Sequence, residues 1–134
     1  MSLRQQIKRA VAKFRKAEFY DERQEGHYIT RKNWNLAWPT GCCTNSALWL
    51  KEELSPVRSK VVGYAYEDNP KARAGRDEGG HDFLVVDETF IVDVWLKDTY
   101  GGPLVTRLND DRAVAKWYGD PEKWVEIDVS GIKL

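Results

Sequence analysis

The sequence predicts an α+β fold, with N-terminal helices packed on a mainly antiparallel sheet. Three observations point there. Apolar residues recur at three- and four-residue steps near the N-terminus and again after residue 42. Short runs of β-branched and aromatic residues follow, separated by polar and Gly-bearing segments. The resulting order is helix, helix, strands, helix, strand, without the regular alternation of a parallel α/β fold.

Leu3, Ile7, Ala10, Val11, Phe14 and Ala17 form one stripe, which predicts an amphipathic helix over roughly residues 3–19. Its other face is basic. Residues 1–17 carry Arg4, Lys8, Arg9, Lys13, Arg15 and Lys16 and no acid. Such a face is ordinarily a solvated surface, and otherwise an arm for an acidic partner. Residues 20–40 show neither period, but hold Tyr20, Tyr28, Trp34 and Trp38 and end in Trp38-Pro39-Thr40-Gly41. A long aromatic loop either lines a site or fills core gaps. His27, beside Gly26, reads as a surface residue of that loop, and otherwise as a substrate contact.

A second helix is expected over 42–54, with Cys43, Ala47, Leu50 and Leu54 on one stripe and Pro56 as its stop. Residues 60–67 read as a strand, and 68–80 (DNPKARAGRDEGG) as a polar loop with the composition of a mobile flap. His81–Val86 and Thr89–Trp95 read as a hairpin around Asp87-Glu88. Asn109 is placed to cap a short helix over Asp110–Tyr118, with Gly119 after its end. Residues 124–129 alternate as a last strand.

At 134 residues, the expectation is one domain spanning 1–134 with a core of its own. Twenty-one basic side chains balance twenty-one acidic ones, and zero net charge argues against a general nucleic-acid or membrane-surface binder. Tyr28, Arg31, Lys32, Trp34 and Trp38 only faintly resemble a single-strand binding pattern. No apolar run approaches the ~20 residues of a membrane span, and no apolar h-region follows the first residues. The two cysteines, Cys42 and Cys43, are adjacent and cannot staple distant elements. These features point to a reduced, cytoplasmic protein.

The chemistry centres on Gly41-Cys42-Cys43. A thiol at the start of a helix meets the positive end of the helix dipole, and free N–H groups there can hold an oxyanion. Cys43 lies on the stripe that faces the sheet, whereas Cys42 shares its side with Ser46, Trp49 and Glu53. His81 follows 38 residues after Cys43, and Asp93 a further 12. Nucleophile, base and orienting carboxylate occur in the order of a thiol triad. Register tests this. With a two-residue turn at Asp87-Glu88, His81 and Asp93 point to opposite faces; a three-residue turn, 86–88 or 87–89, puts both on one face. Asp-Glu lacks the Gly or Asn of tight two-residue hairpins, which favours the longer turn. Asp82 and Asp87 are the nearby rivals of Asp93. Two Cys and two His amount to four zinc ligands in number, but adjacent cysteines lack the spacing that wraps a metal, so neither metal nor cofactor is expected.

Gly41-Cys42-Cys43-Thr44-Asn45-Ser46-Ala47 resembles the G-x-C-x-x-x-A nucleophile segment of the transglutaminase-like group within the papain-like superfamily. Val61-Val62-Gly63-Tyr64 resembles the strand after that helix. His81-Asp82-Phe83-Leu84-Val85-Val86 followed by Phe90-Ile91-Val92-Asp93 is similar to the segments that carry the base and the acid, and to the matching region of arylamine N-acetyltransferases. The likeness spans roughly residues 38–96. Phe83 stands where the group has Trp, Val94 where it has Pro, and the papain-type Gln shortly before the Cys is absent. The resemblance implies a helix whose N-terminal thiol packs against an antiparallel sheet. It implies Cys43 as nucleophile, His81 as base and Asp93 as orienting acid. Asn33, Asn35 and Trp38 are candidates for the second oxyanion donor, and Trp34, Asn35, Trp38 and Cys42 for substrate contacts.

The expected function is thiol-dependent acyl transfer or hydrolysis of an amide bond, by a peptidase, amidase or deamidase. Its partner would be a protein, a peptide or a small amide. Hydrolysis is favoured, because a small domain has little surface for a second substrate. The alternative is a non-catalytic protein- or peptide-binding module with the same fold.

Overall fold

The computed structural model describes residues 1–16, 18–21, 27–30 and 42–130. They form helix α1 (Leu3–Lys16), strands β1 (Glu18–Asp21) and β2 (His27–Thr30), helix α2 (Cys42–Leu54), and strands β3 (Ser59–Ala65), β4 (Gly80–Val86) and β5 (Phe90–Val92). Helix α3 (Val94–Tyr100), strand β6 (Val105–Arg107), helix α4 (Asp111–Tyr118) and strand β7 (Val125–Glu126) complete them. The main sheet has the order β6-β5-β4-β3-β7, and every neighbouring pair is antiparallel. The predicted α+β class, with N-terminal helices on an antiparallel sheet, is what the structure has.

The sheet buries both faces, because strand side chains alternate. On one face Val61, Leu84, Val86 and Val92 meet Ile7, Val11 and Phe14 of α1 and Ala47, Leu50 and Leu54 of α2. These are the apolar stripes read from the sequence. Phe14 is fully buried, with its ring edge-on to Trp49 at 5.5 Å. On the other face Val62, Tyr64, Phe83, Val85 and Ile91 meet Val114 and Tyr118 of α4, Leu96 of α3, and Ala72 and Ala74 of the 69–79 loop.

Several boundaries differ from the sequence reading. Helix α1 stops at Lys16, and β1 and β2 form a hairpin in the stretch where no period is visible; four-residue strands are too short to display one. His27 lies in β2, paired with Asp21, not in a loop. Strand β3 gives way to a 3₁₀ turn at Tyr66–Asp68. The 68–80 segment is a pinned loop, not a free flap. Asn69, Ala72 and Ala74 are buried, the Arg73 and Ala74 amides donate to Lys116 and Trp117 carbonyls, and the Asn69 amide side chain donates to the Tyr118 carbonyl. Its polar composition hides two alanines that fill the core. The run that reads as a strand through Trp95 leaves the sheet after Val92. Asp93 caps a new helix there, its carboxylate accepting from the Leu96 amide at 2.9 Å, and Gly101 in left-handed conformation ends it. Asp110, not Asn109, caps α4. The last strand is confined to Val125–Glu126.

The β4–β5 turn decides the register. Val86 pairs with Phe90, so the connection is the three residues 87–89, with Asp87 and Glu88 at φ 52° and 50°. This is the longer turn that puts His81 and Asp93 on one face. Among the described residues, no helix is long and apolar enough to cross a membrane.

Candidate functional site

Cys43 stands in the first turn of α2, half-buried, packed against the core cluster that takes Ala47, Leu50 and Leu54. Two hydroxyls tie down this end of the helix. Ser46 Oγ donates to the Cys43 carbonyl at 3.0 Å, and Thr44 Oγ1 donates to Asp82 of β4. Asp82 reaches Thr44 across Gly63, its cross-strand partner. A Cβ at Gly63 would lie 2.0 Å from Asp82 Oδ1 and 2.9 Å from the His81 carbonyl, so only glycine leaves room for that carboxylate. Asp82 is thus the clamp between helix and strand, and not the partner of the imidazole.

His81 comes directly before it on β4 and points to the opposite face. Its side chain is wholly buried, with Trp95 at 4.8 Å, Phe83 at 5.7 Å, Tyr118 at 6.2 Å and Tyr64 at 6.5 Å, centroid to centroid. Nε2 lies 2.6 Å from Asp93 Oδ2. Nδ1 is buried and has no hydrogen-bond partner. Burial disfavours a charged ring, but the charge and hydrogen bond of Asp93, with a smaller contribution from the nearby Cys43 thiol, outweigh it and push His81 up to about 10. The ring is therefore an imidazolium at neutral pH, its Nε2 proton held by Asp93.

Asp93 is itself buried and saturated. Oδ1 accepts from the Leu96 amide, and Oδ2 accepts from both His81 and the Tyr118 hydroxyl, the latter at 2.9 Å. Tyr118 is fully buried, and burial followed by the Asp93 charge raises its phenol well above the usual range. The phenol is a hydrogen-bond donor at any working pH, and it fixes the carboxylate from the side opposite α3's cap. Tyr64 is raised in the same way, by burial first and Asp93 next, and its hydroxyl donates to the Ala74 carbonyl at 2.6 Å.

Cys43, Thr44, Tyr64, His81, Asp82 and Trp95 line a cavity of about 250 Å³, with Glu78, Gly79 and Gly80 at its rim. The structure therefore brings Cys43, His81 and Asp93 into one place, with the thiol and the imidazole opening on a common cavity and the carboxylate behind the ring. Trp34, Asn35, Trp38 and Asn33, the candidates for substrate contacts or oxyanion donors, lie outside the described residues. So does the rest of the aromatic loop from 31 to 41. Cys42 opens α2, but its side chain also lies outside the described part of the chain. Among the described residues, no group of three or more His, Cys, Asp or Glu side chains gathers to hold a metal.

Two contributors escape the sequence reading. Tyr118 reads only as the end of a helix, 25 residues beyond the carboxylate it binds. Trp95 reads as the end of a strand, with no part in the site. The signal available for Trp95 is the pairing of an Asp cap at 93 with glycines at 101 and 102. No local signal marks Tyr118. No family model matches the chain, and neither a curated protein nor a solved structure matches it.

Proposed function

We propose that this chain is a cysteine hydrolase or acyltransferase acting on an amide bond, built on a transglutaminase-like, papain-like core. One observation carries the reading: a wholly buried imidazole binds a carboxylate through Nε2, while its unpartnered Nδ1 shares a cavity with a helix-start thiol. A purely structural histidine gains from satisfying both nitrogens, and an unsatisfied buried donor costs ~1–3 kcal/mol. The orphan nitrogen acquires a purpose if a reacting group comes to it.

In this reading Cys43 attacks as the thiolate. The new C–S bond forms as the carbonyl π electrons move to oxygen, where the Cys43 backbone N–H at the helix start stabilises them. The His81 imidazolium then gives its Nδ1 proton to the leaving nitrogen, the C–N bond breaks, and a thioester remains. Neutral His81, still held by Asp93 at Nε2, takes a proton from water or an acceptor amine that attacks the thioester, and the thiolate leaves. Water is the favoured acceptor, and a reduced, cytoplasmic setting goes with a free thiol. Asp93 sets the ring's orientation and charge throughout.

The test is the pH dependence of iodoacetamide alkylation at each cysteine, read by fragment mass, in the wild type and in His81→Ala. The reading expects Cys43 to alkylate rapidly near neutral pH, and His81→Ala to remove that advantage and leave an ordinary thiol profile. If Cys43 is inert, or if its rate ignores His81, the catalytic reading fails and a peptide-binding module becomes the better account.

A further inference from the structure

We infer that the cavity selects a substrate with a positively charged group beside the scissile carbonyl, and that Glu78 is the residue that recognises it. This rests on the thiol reading above. Among the described residues that line the cavity, the charged side chains besides His81 are Glu78 and Asp82, both acids; no Lys or Arg contributes. Asp93 behind the ring offsets the imidazolium, which leaves the two acids of the lining without a cationic partner among these residues. Among the described residues, an incoming group therefore meets a net negative field, which favours cations at close range.

The two acids differ in availability. Asp82 is occupied by the Thr44 hydroxyl and packs on Gly63. Glu78 is exposed at the rim, at the point where a substrate enters. Its position is fixed from two sides. The turn from Gly75 to Gly80 closes on itself, with the Glu78 and Gly80 amides donating to the Gly75 carbonyl at 3.2 and 3.0 Å. Gly75 adopts φ 84°, and a Cβ there would lie 2.1 Å from the Gly80 carbonyl oxygen, so the tight turn requires glycine. From the other side the Tyr100 hydroxyl donates to Glu78 Oε2 at 2.8 Å; burial and this bond push Tyr100 up to about 12, so it remains a donor. Tyr100 in turn packs on Trp95, 5.5 Å between centroids, and Trp95 forms the cavity wall next to His81.

A held carboxylate beside aromatic walls is the combination that binds ammonium and guanidinium groups, by charge-assisted hydrogen bonding and by cation–π attraction with the apolar stem against the ring. The buried, unpartnered His81 Nδ1 in the same cavity marks where the reacting atom sits. The substrate class is then a peptide or amide carrying a lysine- or arginine-like group, its cation at Glu78 and its carbonyl at Cys43.

The test uses two charged thiol reagents, 2-(trimethylammonium)ethyl and 2-sulfonatoethyl methanethiosulfonate. In each, the Cys43 thiolate attacks the sulfenyl sulfur, a disulfide forms, and methanesulfinate leaves with the bonding pair. Rates at Cys43, separated from Cys42 by fragment mass, are compared with those for 2-mercaptoethanol. The cation-to-anion rate ratio at Cys43 is expected to exceed that of the free thiol by roughly tenfold or more. Glu78→Gln, which can still accept from Tyr100, is expected to bring the ratio back toward the free-thiol value. A Cys43 that reacts with both reagents at the free-thiol ratio overturns the charge preference and leaves the thiol reading intact. A raised ratio that Glu78→Gln does not lower overturns the assignment to Glu78. A Cys43 that reacts with neither, while the urea-unfolded chain reacts with both, overturns the thiol reading itself.

Discussion

Replacing Asp93 by Asn isolates the charge on which the site depends. The side chain is buried, and its two oxygens serve three donors: the Leu96 amide, the Tyr118 hydroxyl and His81 Nε2. Asn has nearly the same shape, and its amide oxygen can keep the Leu96 bond, so the α3 cap survives. The amide nitrogen must then stand where Oδ2 stood and face His81 and Tyr118 as a donor. His81 Nε2 can only accept from it, so the ring becomes neutral, with its one proton on Nδ1 toward the thiol. In the wild type the opposing effects leave the ring at about 10. Without the carboxylate, burial remains as the largest influence, and burial lowers a histidine. The ring should then fall below its ordinary 6.5. At pH 8 the imidazolium fraction would drop from about 99% to less than about 3%. Carbon–proton correlation spectra of the imidazole Cε1–H, recorded across alkaline pH with His27→Gln for assignment, measure this directly. A wild-type His81 that titrates in the ordinary histidine range, or a midpoint that Asp93→Asn leaves in place, would refute the reasoning.

Two further outcomes follow from the same contacts. The folded ring keeps its proton up to about 10 whereas the unfolded chain releases it near 6.5, so the stabilisation is complete below pH 6.5 and is lost as pH rises toward 10. Urea midpoints should decline through that window in the wild type, and the decline should vanish in Asp93→Asn; a flat wild-type profile would contradict the assignment. Tyr118→Phe removes one of two donors to Asp93 Oδ2, which leaves that oxygen to the imidazolium alone and binds it more tightly. The His81 midpoint should move further up while stability falls by about 1–2 kcal/mol, checked by the same spectra and by urea melts; a midpoint that moves down would show that the phenol is not sharing that oxygen.

What is legible in the sequence is whatever depends on neighbours along the chain. The stripe of Cys43, Ala47, Leu50 and Leu54 identifies which of two adjacent cysteines faces the sheet, because a helix repeats every three to four residues. Parity along strands ties the His81–Asp93 pairing to a three-residue turn, and the turn spans 87–89. What stays hidden depends on partners remote in sequence or on a single side chain that overrides a pattern. Phe90 to Trp95 reads as continuous β, yet one carboxylate at Asp93 satisfies the Leu96 amide and starts a helix instead. Ala72 and Ala74 lie among charged and polar residues, so composition cannot reveal that they are fully buried under α4. Tyr118 meets Asp93 only because α4 folds back over the sheet.

Asp93 also holds two unrelated offices, and this bears on how variants of the chain are to be interpreted. Its Oδ1 begins a helix and its Oδ2 steadies a ring. A descendant without the proposed chemistry would still need the first office to fold, and selection would go on retaining the aspartate. Persistence at this position therefore says nothing about activity. On the proposed reading, the positions to weigh instead are the thiol of Cys43 and the second nitrogen of His81, which is buried without a hydrogen-bond partner.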